Sequence, residues 1–184
     1  MEPELPKPNG GTDLSKHPVW DVYDLLRTAR FNAEYYSRKA SAVRRKLQHL
    51  DIWLAITVPG SAVAAWPLWA TPIGAVPWCL FAGAASIIAV AKPFLKLPEM
   101  QQAYESAVAR FRAVEGDLSE LRAEIAQQRK YNTSMRDRYY SANRAMRRAA
   151  EFEPIEESDE ALWDKIEEEI RQEMPASIFF VPAE

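Results

Sequence analysis

Cysteine and histidine are scarce in this 184-residue chain, and their scarcity excludes several kinds of site. The single cysteine, Cys79, has no partner for a disulfide or for a zinc site. The two histidines, His17 and His49, are too few and too far apart for a metal cluster or a familiar catalytic triad, and no Gly-rich phosphate-binding loop occurs. The sequence therefore predicts a protein that is not an enzyme and that holds neither a metal nor a cofactor.

Charge is absent from the middle of the chain. Residues 52–91 contain no Asp, Glu, Lys, Arg or His, although 27% of the whole chain is charged. One membrane crossing takes about 20 apolar residues, because a helix rises about 1.5 Å per residue and the hydrocarbon core is about 30 Å thick. The run therefore predicts a hairpin of two transmembrane helices, near 52–69 and 74–92. The alternative is a water-soluble hairpin, but such helices normally carry a polar face and these carry none.

Residue types within the predicted hairpin indicate how it would sit and pack. Tryptophans prefer the membrane boundary, and the predicted interface anchors are Trp53, Trp66, Trp69 and Trp78. Small residues allow helices to approach closely, and those at packing positions are Gly60, Ala64, Ala82, Ala85 and Ala89. A pore would need several protomers, and its candidate polar lining is Thr57, Ser61 and Ser86.

The flanks of the uncharged run predict its orientation. Basic residues lie on both sides of it, at Arg44, Arg45, Lys46, Lys92 and Lys96, and the loop between the crossings has none. By the positive-inside rule both termini are expected to be cytoplasmic, in a multi-pass protein of the bacterial inner membrane. Residues 1–17 are rich in proline and lack the basic start of a signal peptide, so they are predicted to be a disordered lead.

Apolar residues recur at alternating steps of three and four on both sides of the run. The seam before it consists of Val19, Val22, Leu26, Ala29, Ala33, Tyr36, Ala40, Val43, Leu47 and Leu50. The seam after it consists of Leu97, Met100, Tyr104, Ala107, Phe111, Val114, Leu118, Leu121 and Ile125, then, past the polar Gln128 and Asn132, of Met135, Tyr139, Ala142 and Met146. A sustained period of 3.5 requires a partner along the seam, and the predicted membrane hairpin would place the two flanking helices side by side and in opposite directions. We therefore expect two long antiparallel cytoplasmic helices, 18–51 and 93–150, packed within one protomer or also between protomers.

The second of these helices is predicted to be longer than the first, so about 20 of its residues would overhang. The overhang carries a basic cluster, Arg129, Lys130, Arg136, Arg138, Arg144, Arg147 and Arg148, interleaved with tyrosines. It is expected to pair with the C-terminal segment, another subunit or a foreign protein. Arginines beside aromatic rings also bind nucleic acid, but the acidic segment that follows argues against that partner.

Residues 151–184 form a segment of opposite charge, with twelve acidic and two basic residues and a net charge of minus ten. Pro154 should end the long helix, and Ser158 should cap a short one. Four apolar residues are predicted to dock this short helix on the overhang as a latch: Leu162, Trp163, Ile166 and Ile170. The stretch from Ser177 to Val181 has strand character, and it either covers an apolar patch of this chain or adds to a partner's sheet edge.

One stretch of the first helix carries a family resemblance. It contains Arg27, Arg30, Asn32, Ala33, Glu34, Tyr35, Tyr36 and Ala40. Followed by two crossings and a long cytoplasmic helix, this stretch resembles the SLATT proteins, two-transmembrane effectors associated with bacterial nucleotide-signalling and reverse-transcriptase defence systems. The resemblance covers about residues 19–150 and leaves out the acidic segment.

The resemblance implies a homo-oligomeric inner-membrane effector that contacts lipid and forms a pore or disrupts the membrane, so that growth stops or the cell dies. Its trigger would be a sensor protein of the defence system or a nucleotide signal bound by the stalk. The leading alternative is a membrane scaffold or anchor that recruits a cytoplasmic partner. A nucleic-acid tether is a third class, which predicts salt-sensitive binding through the arginines of the overhang. The sequence thus predicts an all-α membrane protein with five parts: 1–17, 18–51, 52–92, 93–150 and 151–184.

Overall fold

The computed structural model describes residues 17–57, 71, 80, 83–84, 86–91, 95–152, 154 and 159–182, with only the backbone at 56 and 57. Within these residues the chain is helical and contains no strand, so the all-helical part of the predicted fold class is confirmed. The helices with defined bounds are α1 (Val19–Thr57), α2 (Leu97–Gln128), α3 (Thr133–Ala150) and α4 (Glu160–Glu173). A 3₁₀ turn, Ala176–Ile178, follows α4.

The transmembrane part of the predicted fold class is wrong. Among the residues described, no helix combines the length and the apolar character that crossing a bilayer requires. α1 has 39 residues, but charged side chains, among them Arg45, Lys46 and Asp51, recur along it, so it lacks the apolar character of a membrane-spanning helix. The membrane hairpin and the multi-pass inner-membrane localisation are corrected accordingly. Most of the predicted hairpin, at 58–70, 72–79, 81–82, 85 and 92–94, lies outside the described residues.

The chain divides into two compact units, and the first contains residues 17–35 together with the described part of 107–182. The predicted seam supplies much of its core, although the seam residue Tyr139 is only half-buried. The buried seam residues are Val19, Val22, Leu26, Ala29 and Ala33 of α1, Ala107, Phe111, Val114, Leu118, Leu121 and Ile125 of α2, and Met135, Ala142 and Met146 of α3. The heptad prediction is therefore confirmed at these positions, because the period of 3.5 placed them all on one face of each helix.

Within this unit α1 and α2 run antiparallel. Arg30 pairs with Glu115 at 2.8 Å, and Glu34 pairs with Arg112 at 3.6 Å, so residue numbers rise along one helix as they fall along the other. This direction agrees with the antiparallel pairing of the two flanking helices that the sequence analysis expects.

A turn at 129–132 divides the helix that the sequence predicts to continue through residues 93–150. Arg129 takes a positive φ of 51°, and the side chain of Asn132 caps α3 by accepting a hydrogen bond from the backbone N–H of Met135 at 3.0 Å. α3 then folds back along α2, since Arg138 pairs with Glu124 at 2.6 Å and with Glu120 at 2.9 Å. Residues expected to overhang therefore find their partner in the preceding helix.

The second unit contains the described residues of 36–106. Its buried side chains are Tyr36, Ala40, Val43 and Tyr104. The rings of Tyr36 and Tyr104 stack with their centroids 6.0 Å apart, and Lys39 Nζ lies 5.8 Å from the Tyr104 ring. Seam residues of both helices thus meet in this unit as well.

Candidate functional site

The end of the chain docks on α1 through one buried phenylalanine. Phe179 is 8% exposed, and its ring stacks on that of Tyr23 with the centroids 4.1 Å apart. Trp20 meets the Phe179 ring edge-on at 6.4 Å, and the guanidinium carbon of Arg122 lies 5.1 Å from its centroid. The Tyr23 hydroxyl donates a hydrogen bond to the carbonyl oxygen of Phe180. Residues of α1 and α2 together therefore form an aromatic pocket for this side chain, which we call the Phe179 pocket.

A second aromatic cluster holds the start of α4 against α1. The ring of Trp163 lies 4.3 Å from that of Phe31 and 5.7 Å from that of Tyr35. The backbone N–H of Asp159 donates to the Tyr35 hydroxyl at 3.1 Å, and the Asp159 carboxylate accepts from the backbone N–H of Leu162 at 3.1 Å. Because Asp159 is the N-cap of α4, the same residue starts the helix and fixes it to α1.

Arg30 connects the far end of α4 to both α1 and α2. Its two terminal nitrogens donate to Glu115 of α2 at 2.8 Å and to Glu173, the last residue of α4, at 3.0 Å. Burial alone would lower the pKa of Arg30, but the carboxylates of Glu115, Glu173 and Glu34 outweigh it and raise that pKa above its usual value. The guanidinium therefore stays charged at any physiological pH and can hold both carboxylates.

Residues 159–182, which we call the C-terminal segment, thus dock where the sequence did not predict. The sequence placed them on the basic overhang, whereas Trp163, Glu173 and Phe179 contact α1 and α2. Ile166 and Ile170 are buried, as the latch prediction requires. Ser158, the predicted cap, lies outside the described residues.

The stretch from Ser177 to Val181 covers an apolar patch of this chain, which is one of the two alternatives that the sequence left open. It begins within the 3₁₀ turn and continues in extended backbone at Phe179, with φ −93° and ψ 129°. Its one fully enclosed aromatic side chain fills the Phe179 pocket. In this arrangement the stretch pairs with no sheet edge among the described residues.

The basic cluster lies on α3 and on the turn before it. Arg138 makes ion pairs with Glu120 and Glu124 of α2, which connect α3 to the helix that it folds back along. The six other members are exposed and make no ion pair within the described part of the chain: Arg129, Lys130, Arg136, Arg144, Arg147 and Arg148. Within the described part of the chain, no ion pair joins this cluster to the C-terminal segment.

Three tyrosines gather where α3 begins. The rings of Tyr139 and Tyr140 lie 5.5 Å apart, and the Tyr131 ring meets His17 edge-on at 6.1 Å. Burial, and then the neighbouring Tyr139, Asp21 and Tyr140, raise the pKa of Tyr131 to about 12. Burial also raises the pKa of Tyr139.

We expect the chain to lose stability as the pH rises from about 10 to about 12. An unfolded tyrosine ionises near pH 10, whereas folded Tyr131 keeps its proton to about pH 12, so the unfolded chain binds fewer protons in this window and is favoured by the rise. Urea unfolding followed across this range, with tyrosinate absorbance at 295 nm, measures the effect. Tyr131→Phe should flatten the decline, because phenylalanine has no proton to lose in this window. Equal slopes in the original chain and in this variant would contradict the prediction.

Most residues proposed for the membrane path lie outside the described part of the chain, namely Gly60, Ser61, Ala64, Trp66, Trp69, Trp78, Ala82 and Ala85. Of the others, Trp53 is half exposed, Ser86 and Ala89 are exposed, and Thr57 is described by its backbone alone. The structure brings none of these described residues together into a site.

Sequence reasoning missed the α1 side chains that hold the C-terminal segment. Tyr23, Phe31 and Tyr35 are buried but lie off the heptad seam, so a seam-based prediction left them on the solvent side. The available signal was their spacing, because residues eight and four apart on a helix share one side. A stripe of aromatic residues beside the apolar heptad seam indicates that the helix has a second packing partner.

Among the described residues no group of three His, Cys, Asp or Glu side chains is placed to hold a metal ion, and no buried side-chain nitrogen or oxygen lacks a hydrogen bond. Comparison with known proteins adds no relative, since no family model, no curated protein and no solved structure matches this chain.

Proposed function

We propose that this chain is a non-enzymatic helical interaction protein whose C-terminal segment closes a binding face on α1 and α2, and that a partner protein takes this face when the segment leaves. The observation that carries the proposal is the seating of Phe179 in its aromatic pocket. A segment that lies on the outside of packed helices can leave without unfolding them, because local opening costs less free energy than global unfolding.

The contacts of the segment favour reversible docking. Trp163 remains 43% exposed, and the Glu173 carboxylate that binds Arg30 is 56% exposed. Exposed ion pairs contribute only about 0 to 1 kcal/mol each, so the buried apolar side chains, among them Ile166, Ile170 and Phe179, supply most of the docking energy. The face accordingly fits a partner of similar chemistry: a short helix with an aromatic and an acidic residue, followed by an extended aromatic residue.

A fluorescent peptide of residues 159–182 tests whether this face can be opened. Full-length protein should bind it weakly, because its own segment occupies the face, while the full-length variant Ile166→Asp should bind it at least about tenfold more tightly. Ala161→Asp adds the same charge at an exposed position of α4 and should behave as the original chain does. The proposal is refuted if all three proteins bind the peptide equally while Ile166→Asp keeps its helical circular dichroism.

A second candidate function is favoured by the position of two residues that carry the SLATT resemblance. Arg30 binds Glu173, and Tyr35 accepts the hydrogen bond from Asp159. We propose that, if the chain is a defence effector, release of the segment is the step that stops growth. Induced expression in bacteria separates the two candidates: Ile166→Asp should arrest growth more strongly than Ala161→Asp if the chain is an effector, and both should grow alike if it is a scaffold.

A further inference from the structure

Two oppositely charged surfaces lie exposed on the first unit. The basic face of α3 consists of Arg136, Arg144, Arg147 and Arg148 with Tyr140 among them, and Asp137 is its one acidic member. The acidic face of α4 consists of Glu160, Asp164, Glu167 and Glu168, with Arg171 as its one basic member. Each face has four charges of one sign and one of the other, so the net charge is plus three on the α3 face and minus three on the α4 face.

Neither face is neutralised by the other within one copy. On the acidic face the ion pairs are internal to α4, where Arg171 binds Glu167 at 2.8 Å and Glu168 at 3.0 Å. Glu173 of α4 makes an ion pair with Arg30 of α1. The arginines of the basic face make no ion pair among the described residues. In the structure as described, the side chains of both faces are exposed and can contact another molecule.

The two faces also match in spacing. Arg144, Arg147 and Arg148 are separated by three residues and one, and Asp164, Glu167 and Glu168 are separated in the same way. Each set spans about 6 Å along one side of its helix at the standard rise. A helix that presents one set can therefore oppose all three charges of the other, and Tyr140, which is 49% exposed, adds aromatic area beside the arginines.

From this complementarity we infer that the chain associates with further copies of itself, the basic α3 face of one copy binding the acidic α4 face of the next. The two surfaces are different patches of one chain, so the contact is heterologous and each bound copy offers a free face to another. Individual exposed ion pairs are weak and screened by salt, so the association is concentration-dependent and is lost at high ionic strength. It does not need the C-terminal segment to open, because both faces are exposed while that segment is docked.

Two full-length charge-reversal variants test the inference. The basic-face variant is R144E/R147E/R148E, and the acidic-face variant is D164K/E167K/E168K. In about 50 mM salt the original chain should show an average mass well above its 20.9 kDa in sedimentation velocity, and it should return to that mass in about 500 mM salt. Each variant alone should stay at the monomer mass in low salt, because its two faces then carry the same sign.

An equimolar mixture of the two variants provides the decisive control. In the mixture the reversed α3 face of one variant meets the reversed α4 face of the other with opposite charges, so association should return in low salt. A monomeric original chain, variants that associate as it does, or a mixture that stays monomeric would each overturn the inference. Labelled single-stranded DNA of about 20 nucleotides tests the competing partner: if it binds the basic face and no self-association occurs, nucleic acid is the occupant instead.

Discussion

Replacing Ile166 by aspartate is expected to detach α4 and to raise the rate of tryptic cleavage at Lys165 and Arg171 by at least about 100-fold. Ile166 is fully buried, at 0% exposure, so the new carboxylate has no partner in the docked state. A buried charge left without compensation costs about 3 to 5 kcal/mol, and detaching the helix returns this charge to water. Trypsin cleaves the segment in its open form, so the cleavage rate follows the population of that form. A cost of about 3 to 5 kcal/mol in the docked state raises this population by at least about 100-fold.

The matched control for this variant is Ala161→Asp on the same helix. Residue 161 is exposed, so the same charge costs little there, and the cleavage rate should stay within about twofold of the original. Mass spectrometry of the first cleavage products gives the sites and the rates, and circular dichroism at 222 nm shows whether α1, α2 and α3 remain folded. An Ile166→Asp protein that is cleaved at the original rate would show that α4 is not docked through this side chain.

The heptad seam is the part of the fold that the sequence predicts best. Phe111, Leu118 and Leu121 of α2 are buried at 1% exposure or less, as are Val19 and Val22 of α1. Periodicity succeeds here because a helix that packs along one partner must repeat its apolar residues at that period. The seam does not by itself give the direction of pairing: the antiparallel arrangement is expected from the predicted membrane hairpin, and the pairs of Arg30 with Glu115 and of Glu34 with Arg112 show it within the first unit.

The sequence carries a signal for the break between α2 and α3. The seam passes through two polar residues, Gln128 and Asn132, and Asn132 is the N-cap of α3. A single polar seam position is common in long helices, whereas a polar pair that includes a good capping residue indicates a turn. Because α3 folds back, Met135 and Met146 enter the core of the first unit. A straight overhang would not bury these side chains against α2.

Composition misled the prediction for the centre of the chain. The absence of charge from 52 to 91 indicates apolar surroundings, but it does not define where a helix begins or ends. α1 enters this run directly from the charged residues before it and has its described end at Thr57. The docking site for the C-terminal segment escaped prediction for a different reason: local periodicity cannot show which of several exposed aromatic residues a distant segment will cover.

Replacing Phe179 by alanine is expected to lower the free energy of unfolding by about 3 kcal/mol. The ring is 8% exposed and stacks on Tyr23 at 4.1 Å, so the substitution removes both buried apolar area and an aromatic pair. Truncation of a buried phenylalanine costs about 3 to 5 kcal/mol, and the lower end applies because the terminal segment can partly relax into the space. Urea unfolding followed by far-ultraviolet circular dichroism measures the loss.

Phe152→Ala is the matched control for this prediction, because it removes the same side chain from an exposed position. Phe152 is 59% exposed, and its main contact is the Arg110 guanidinium, 4.1 Å from the ring centroid. A cation–π contact at such a site contributes about 0.5 to 1 kcal/mol, so the two variants should differ by about 2 kcal/mol. Equal losses would mean that the Phe179 pocket does not hold the end of the chain. A larger loss for Phe179→Ala would show that the pocket helps to hold the C-terminal segment, beside the buried Ile166 of α4.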